Sequence, residues 1–278
     1  MSVLAGKRAL ITGASSGIGA ALARTLAAQG ATLVLTARRK AQLDEVASSC
    51  GGAEIIVADL GKPGESARLW REATAKAPVD ILINNAGFGY FRPFATIEAA
   101  REAELLQLNI TSLVELSRAF AEHRRDKAER AYLVNIASIA AYQSVPNQAL
   151  YTSSKAFVRN FTEALHGEWK GSKLSATCIC PGGTKTEFHD MAGAGNYSWI
   201  ANKSMMTSEE VATITVRAML AGKRNVIPGI INKLSCWGTR LVPRAFASWM
   251  SQRVLGKPRP GELPARTSGS TTHTETAA

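Results

Sequence analysis

Thr12-Gly13-Ala14-Ser15-Ser16-Gly17-Ile18-Gly19 joins a short apolar run, residues 8–12, to a helical pattern over 18–29. Glycines at these positions permit a tight turn, and they let a phosphate approach the main chain closely. The helix that follows offers free N–H groups and a favourable dipole to an anion. The spacing is G-x-x-x-G-x-G rather than the general dinucleotide fingerprint G-x-G-x-x-G. The turn therefore gains its weight from its position, between a first strand and a first helix.

Working outward, the same alternation recurs along the chain. Strand-like runs fall at 8–12, 32–36, 54–57, 80–83, 131–136, 174–180 and 225–227, with helical patterns at 18–29, 40–49, 64–77, 98–123, 150–170 and 208–221. Most of the strand-like runs are continuously apolar, which is the mark of strands buried on both faces of a parallel sheet. The expected fold is α/β: a Rossmann-type doubly wound parallel sheet of about seven strands, with helices on both faces. Ligands of such sheets bind beyond the carboxyl ends of the strands, at the switch point.

Of the 278 residues, 46% are hydrophobic and 20% charged, enough apolar material for a sizeable core and too little bias for a disordered or collagen-like chain. No apolar run approaches the length of a spanning helix, and residues 1–7 lack the charged start and long apolar stretch of a secretory signal. Cys50, Cys178, Cys180 and Cys236 form no C-x-x-C pair, and they read as reduced thiols of a cytoplasmic protein. Cys178 and Cys180 alternate on a strand and are expected in the core. His123, His166, His189 and His273 match no metal spacing, so no metal site is expected. Ser138 lacks the nucleophile elbow of a hydrolase.

The second strand ends in Thr36-Ala37-Arg38-Arg39, with Arg38 nineteen positions after Gly19. Folds that bind NAD place an acid near this point for the ribose 2′-hydroxyl, whereas a basic residue accommodates a 2′-phosphate. A guanidinium holds a phosphate through forked, charge-assisted bonds. The expected cofactor is accordingly NADP(H), with Arg38 first, Arg39 second and Ser15 assisting.

Thr12 to Gly19, Asn84-Asn85-Ala86-Gly87, Asn109, Ser138, Tyr151-Thr152-Ser153-Ser154-Lys155 and Pro181-Gly182 stand in one order over roughly residues 5–230. In that order and spacing they resemble the motifs of the short-chain dehydrogenase/reductase family, and the runs Asn84 to Gly89 and Pro228-Gly229 resemble a bacterial-type branch of it. The resemblance implies cofactor contacts at Gly13, Ser15, Ser16, Gly17, Ile18 and Gly19. It also implies contacts at Arg38, Arg39, the adenine-contacting pair Asp59-Leu60, Asn85, Ala86 and Gly87. Near the nicotinamide it implies Tyr151, Lys155, Pro181, Gly182, and Thr184 or Thr186. Gly183 departs from the family, where many relatives carry a bulkier residue.

The family's chemistry is hydride transfer between nicotinamide and a carbonyl or secondary alcohol. A free phenol with a pKa of about 10 is poorly placed for proton exchange near neutrality, and a nearby ammonium lowers that value. Tyr151 and Lys155 lie four apart on a predicted helix and so share a face. The expected catalytic set is Tyr151 as acid/base and Lys155 acidifying it, with a second role on the nicotinamide ribose. In that set Ser138 would steer the substrate oxygen, and the resemblance implies the ribose role of Lys155 and an Asn109 that holds a water linking Lys155 to solvent.

The substrate is expected to be an apolar carbonyl or alcohol. Its pocket would be walled by Phe88, Tyr90, Phe91 and Phe94, with Tyr142 nearby; the alternative for these aromatics is a subunit contact. A lid over residues 187–206, rich in large apolar side chains and glycine, would close it. The net charge is +11, but residues 217–278 hold ten Lys/Arg against two acids, leaving 23 against 20 in the rest. A nearly balanced body argues against nucleic acid. Residues 217–255 form a basic amphipathic extension interrupted at Pro243, either a helix pair covering the domain or a subunit contact, or a peripheral membrane contact. Residues 1–255 read as one domain and 256–278, rich in Pro, Gly, Ser and Thr, as a disordered tail. The resemblance also implies a homo-oligomer, dimer or tetramer. The alternative functions are a nucleotide-binding sensor or a membrane-surface protein of the same fold with little turnover.

Overall fold

The computed structural model describes residues 3–184 and 205–255. Seven strands pair in parallel in the order β3-β2-β1-β4-β5-β6-β7. They are β1 (Arg8–Thr12), β2 (Thr32–Ala37), β3 (Glu54–Val57), β4 (Ile81–Asn84), β5 (Ala131–Ile136), β6 (Leu174–Ile179) and β7 (Asn225–Val226). The helices are α1 (Gly17–Ala28), α2 (Lys40–Ser49), α3 (Glu65–Thr74), α4 (Ala99–Leu106), α5 (Ser112–Arg124), α6 (Ala149–Glu168), α7 (Ser208–Leu220), α8 (Ile230–Gly238) and α9 (Arg244–Leu255).

The continuous apolar runs have the predicted cause. Every residue of β1, β4 and β5 is buried, and successive side chains serve opposite layers. Ile11 packs with Leu22, Leu26, Val216 and Met219 on the α1–α7 side. Its neighbour Leu10 packs with Leu69, Leu82, Phe120 and Leu133 on the α3–α5 side. A buried polar chain ties β4 and β5 to α5 and α6: Asn84 Nδ2 donates to Asn135 Oδ1 (2.9 Å) and Ser117 Oγ (3.1 Å), and Asn135 Nδ2 donates to Thr162 Oγ1 (2.9 Å).

One feature differs from the sequence reading. The pattern over 98–123 is not one regular helix: α4 passes through a π-turn, Gln107–Thr111, before α5. Such turns insert a residue and re-aim a side chain, and here Asn109 is 1% exposed at its centre. The extension after β7 is a helix pair, α8 and α9, with Pro243 just ahead of the second helix. No helix among the described residues is long and apolar enough to cross a membrane.

Candidate active site

The sheet order reverses between β1 and β4, so the loops leaving these strands part there and open a crevice. The two loops are stitched to each other. Thr12 Oγ1 accepts from the N–H groups of Asn85 and Ala86, both at 3.0 Å, and Asn85 Nδ2 donates to the carbonyls of Thr12 (2.9 Å) and Gly13 (3.1 Å). Gly13 has φ +65°, and a β-carbon on it would lie 2.9 Å from Ala86 Cα. One on Gly19 would lie 2.6 Å from Asn85 Nδ2 and press on the Gly13 carbonyl. Gly19 is therefore buried and serves this close approach rather than facing the crevice. Ser16 precedes α1 without capping it through its side chain, so the first N–H groups of that helix are left to another acceptor.

Two guanidiniums stand over this turn. Arg39 Nη2 donates to Ser16 Oγ (3.1 Å) and Ser15 Oγ (3.5 Å). Arg38 is half-buried; burial lowers its pKa, Asp59 opposes that shift and Arg39 adds to it. A backbone cradle kept clear of β-carbons, an uncapped helix start and two adjacent cations fit a dinucleotide with its phosphates at α1.

At the other end of the crevice, α6 presents Tyr151 and Lys155, both buried. Ser138 hydrogen-bonds the Tyr151 side chain, and Ser138 Oγ also accepts from Ala140 N (3.1 Å), starting the 3₁₀ turn Ile139–Tyr142. Lys155 Nζ donates to the Ile136 carbonyl at the end of β5 (2.9 Å) and lies 5.9 Å from the centroid of the Tyr151 ring. The expected acidification of the phenol is not found. Burial pushes Tyr151 up to about 12, with the Ser138 hydrogen bond opposing it. Burial brings Lys155 down to about 8. Desolvation penalises both charged forms, and the ammonium meets the ring face and a carbonyl.

Asn109 holds the site from behind. Its Oδ1 accepts from Phe88 N (3.1 Å), and its Nδ2 donates to Phe88 O (2.9 Å) and Ser154 Oγ (3.1 Å). Both amide protons are thus spent on protein groups, fixing the β4 loop to α6. Gly87 leaves room for this arrangement: its β-carbon would meet Asn109 Oδ1 at 3.1 Å and Lys155 Nζ at 3.3 Å.

A cavity of about 800 Å3 runs through all of this. It gathers every described candidate except Gly19 and Asn109: Gly13, Ser15, Ser16, Gly17, Ile18, Arg38, Arg39, Asp59, Leu60, Asn85, Ala86, Gly87, Ser138, Tyr151, Lys155, Pro181, Gly182 and Thr184. Thr186 and the proposed lid, apart from Met205 and Met206, lie outside the described residues. Met205 lines the cavity, and Met206 N bonds the Gly183 carbonyl (3.1 Å).

The expected aromatic wall is only partly correct. Phe88 and Tyr90 line the cavity, but Phe91 is packed away at 1% exposure, Phe94 faces solvent, and the Tyr142 hydroxyl is turned to Asn225 Oδ1 (3.1 Å). The opposite wall, missed in the sequence, is α8 and α9, through Ile231, Val242, Phe246, Met250 and Val254. The apolar spacing of residues 217–255 carried that signal without saying what the helices cover. Their seat is specific: Asn232, 2% exposed, donates to Pro228 O (3.0 Å) and occupies the space beside Gly182.

Residues 7–196 match the family model described as short chain dehydrogenase. Over 216 residues the chain is 35% identical to a hydroxynaphthalene reductase-like protein of Metarhizium brunneum (strain ARSEF 3297), covering 75% of this chain and 79% of that protein. It is 32% identical to nodulation protein G of Rhizobium sp. (strain N33), covering 77% and 89%. A short-chain dehydrogenase from Sphingobium yanoikuyae, solved in complex with NADPH, superposes with a TM-score of 0.74 at 30% identity, covering 84% and 94%. The chain belongs to the short-chain dehydrogenase/reductase family and is an NAD(P)-dependent oxidoreductase. The likeness runs across fungal and bacterial proteins, and so assigns the family as a whole rather than a bacterial-type branch of it.

Proposed function

We propose that the protein uses NADPH to reduce the carbonyl of a compound with a large apolar part, with Tyr151 as the proton donor. The observation that carries this reading is the buried Tyr151 side chain, hydrogen-bonded to Ser138, in the same cavity as the glycine cradle. When bound, the nicotinamide supplies the hydride equivalent for carbonyl reduction. Gly13, Ser15, Ser16 and Gly17 would hold the phosphates, with Arg38 and Arg39 at the 2′-phosphate. Asp59 and Leu60 would take the adenine side, and Ala86, Gly87, Pro181, Gly182 and Thr184 the nicotinamide side.

A phenol whose pKa is raised keeps its proton throughout the physiological range, and it is therefore ready to donate to an oxygen that gains negative charge. Ser138 orients that oxygen, and Lys155 offsets the charge left on Tyr151 after donation. Support for an apolar substrate comes from Phe88, Tyr90, Val242, Phe246, Met250 and Val254.

The test is a panel of aliphatic and aromatic ketones and aldehydes assayed with NADPH and with NADH. Oxidation of NADPH with apolar members, at a kcat/KM well above that with NADH, is the expected result. Turnover of small polar carbonyls alone, or equal use of the two cofactors, would overturn the reading.

A second reading, peripheral attachment to an anionic lipid surface, is favoured by one observation. Ile230, Leu234, Trp237 and Leu241 are exposed along α8 and just beyond it, in a stretch with no Asp or Glu from 211 to 261. Co-sedimentation with phosphatidylserine vesicles but not phosphatidylcholine vesicles is the outcome that would support it.

A further inference from the structure

Behind the large cavity lies a second one, of about 350 Å3, where the turn Ile139–Tyr142 and α6 meet the helix pair α8–α9. Three arginines line it, Arg159, Arg240 and Arg244, together with Gln143, Ser144 and Thr239. No described residue lining it is acidic. Among the described residues none of the three arginines has a carboxylate partner. Arg159 lies over the Tyr142 ring, 4.4 Å from its centroid, and its donors reach Asn160 Oδ1 at 3.1 and 3.3 Å. Tyr142 is itself pinned through its hydroxyl to Asn225, so the Arg159 platform is fixed. Arg244 is the first residue of α9, a twelve-residue helix whose N-terminal dipole adds to the positive field.

An oxyanion placed in this hollow would accept the forked N–H donors that arginine presents to carboxylate or phosphate. The hollow is also not isolated. Gln143, Thr239 and Ala247 line both it and the large cavity, so the two share a wall.

We infer that the arginine hollow binds the anionic end, carboxylate or phosphate, of an amphiphilic ligand whose apolar part lies in the adjoining cavity. The proposal rests on the reading of that cavity as the substrate pocket, and it names the substrate class: an apolar carbonyl compound with an oxyanion at one end.

Calorimetric binding tests this without turnover. Octyl phosphate, octanoate, octan-1-ol and inorganic phosphate are titrated into the full chain saturated with NADP+, which keeps the glycine cradle filled. The charged octyl ligands are expected to bind at least about tenfold more tightly than octan-1-ol, as charge-assisted bonds to arginine allow. Inorganic phosphate is expected to bind much more weakly than octyl phosphate. The double variant R240Q/R244Q removes two exposed side chains that have no partner among the described residues, and so should melt normally. It should bring the charged ligands down to the affinity of octan-1-ol and leave octan-1-ol unchanged.

Equal binding of charged and neutral octyl ligands, affinities untouched by R240Q/R244Q, or inorganic phosphate binding as tightly as octyl phosphate would each overturn the inference. So would failure of the octyl ligands to bind. NADPH-linked reduction of neutral ketones would survive any of these results, so the failure of this inference is distinguishable from the failure of the proposed function.

Discussion

Gly89 and Tyr151 share one space: a β-carbon on Gly89 would sit 2.6 Å from Cδ2 of the tyrosine ring and 2.8 Å from its Cγ. The loop after β4 thus sets the position of the phenol by having no side chain there. Gly89→Ala must displace the ring or the loop, an overpacking that costs about 1–3 kcal/mol. The expected outcome is a small fall in melting temperature and a fall in kcat of at least about tenfold, since a misplacement near 1 Å suffices for that loss. NADPH affinity should stay nearly unchanged. A kcat equal to that of the parent would mean that the tyrosine position does not matter.

Asn109 joins Phe88 to α6 through both of its amide protons. Asn109→Asp keeps the shape and the acceptor but removes those donors, leaving the Phe88 carbonyl without its partner at a cost of about 1–3 kcal/mol. Denaturant midpoints should fall accordingly, and kcat should fall more than the KM for NADPH rises. Unchanged stability would show that the carboxamide is not the clamp its hydrogen bonds describe.

The fold was legible because burial on both faces leaves a plain trace, the continuous apolar runs that became β1, β4 and β5. The glycine turn was equally plain from its place between a strand-like run and a helical pattern, although the approach of Asn85 and Ala86 that requires Gly13 and Gly19 shows only in the structure. The π-turn at Asn109 left no such trace, because it is decided by the buried partners of one side chain. The ionisation of Tyr151 was misjudged for a related reason. Spacing of four placed Lys155 on the same helix face, but it could not show that the ammonium points at the Ile136 carbonyl, or how completely the phenol is desolvated. The role of α8 and α9 depends on which surface they pack against, and amphipathic spacing is silent on that.

Lys155 should set an alkaline limit on the reaction. Burial brings its pKa down to about 8, so the ammonium is charged below that pH and neutral above it. Its charge favours the tyrosinate left after donation, so kcat for reduction should fall as pH rises through about 8. Lys155→Arg keeps the charge at high pH. Any residual activity of that variant should lose this limb, and a limb unmoved in Lys155→Arg would assign it to another group.

Arg38 and Arg39 face the glycine turn from the end of β2. Arg38→Ala should raise the KM for NADPH by about 10–100-fold, the range for a lost charged hydrogen bond, while the KM for NADH stays nearly constant. Arg39→Ala should do the same more weakly, because part of its guanidinium is engaged with Ser15 and Ser16. Parallel changes for both cofactors would remove the 2′-phosphate from the account.

Tyr151→Phe tests the central claim most directly. The variant loses one hydroxyl from a buried ring and should keep the fold. With a ketone found active in the carbonyl panel, single-turnover oxidation of bound NADPH is followed by absorbance, and NADPH affinity by fluorescence. The account predicts unchanged NADPH binding and a rate lower by about 10²–10⁴, the usual worth of a positioned proton donor. A rate within a few-fold of the parent would contradict it.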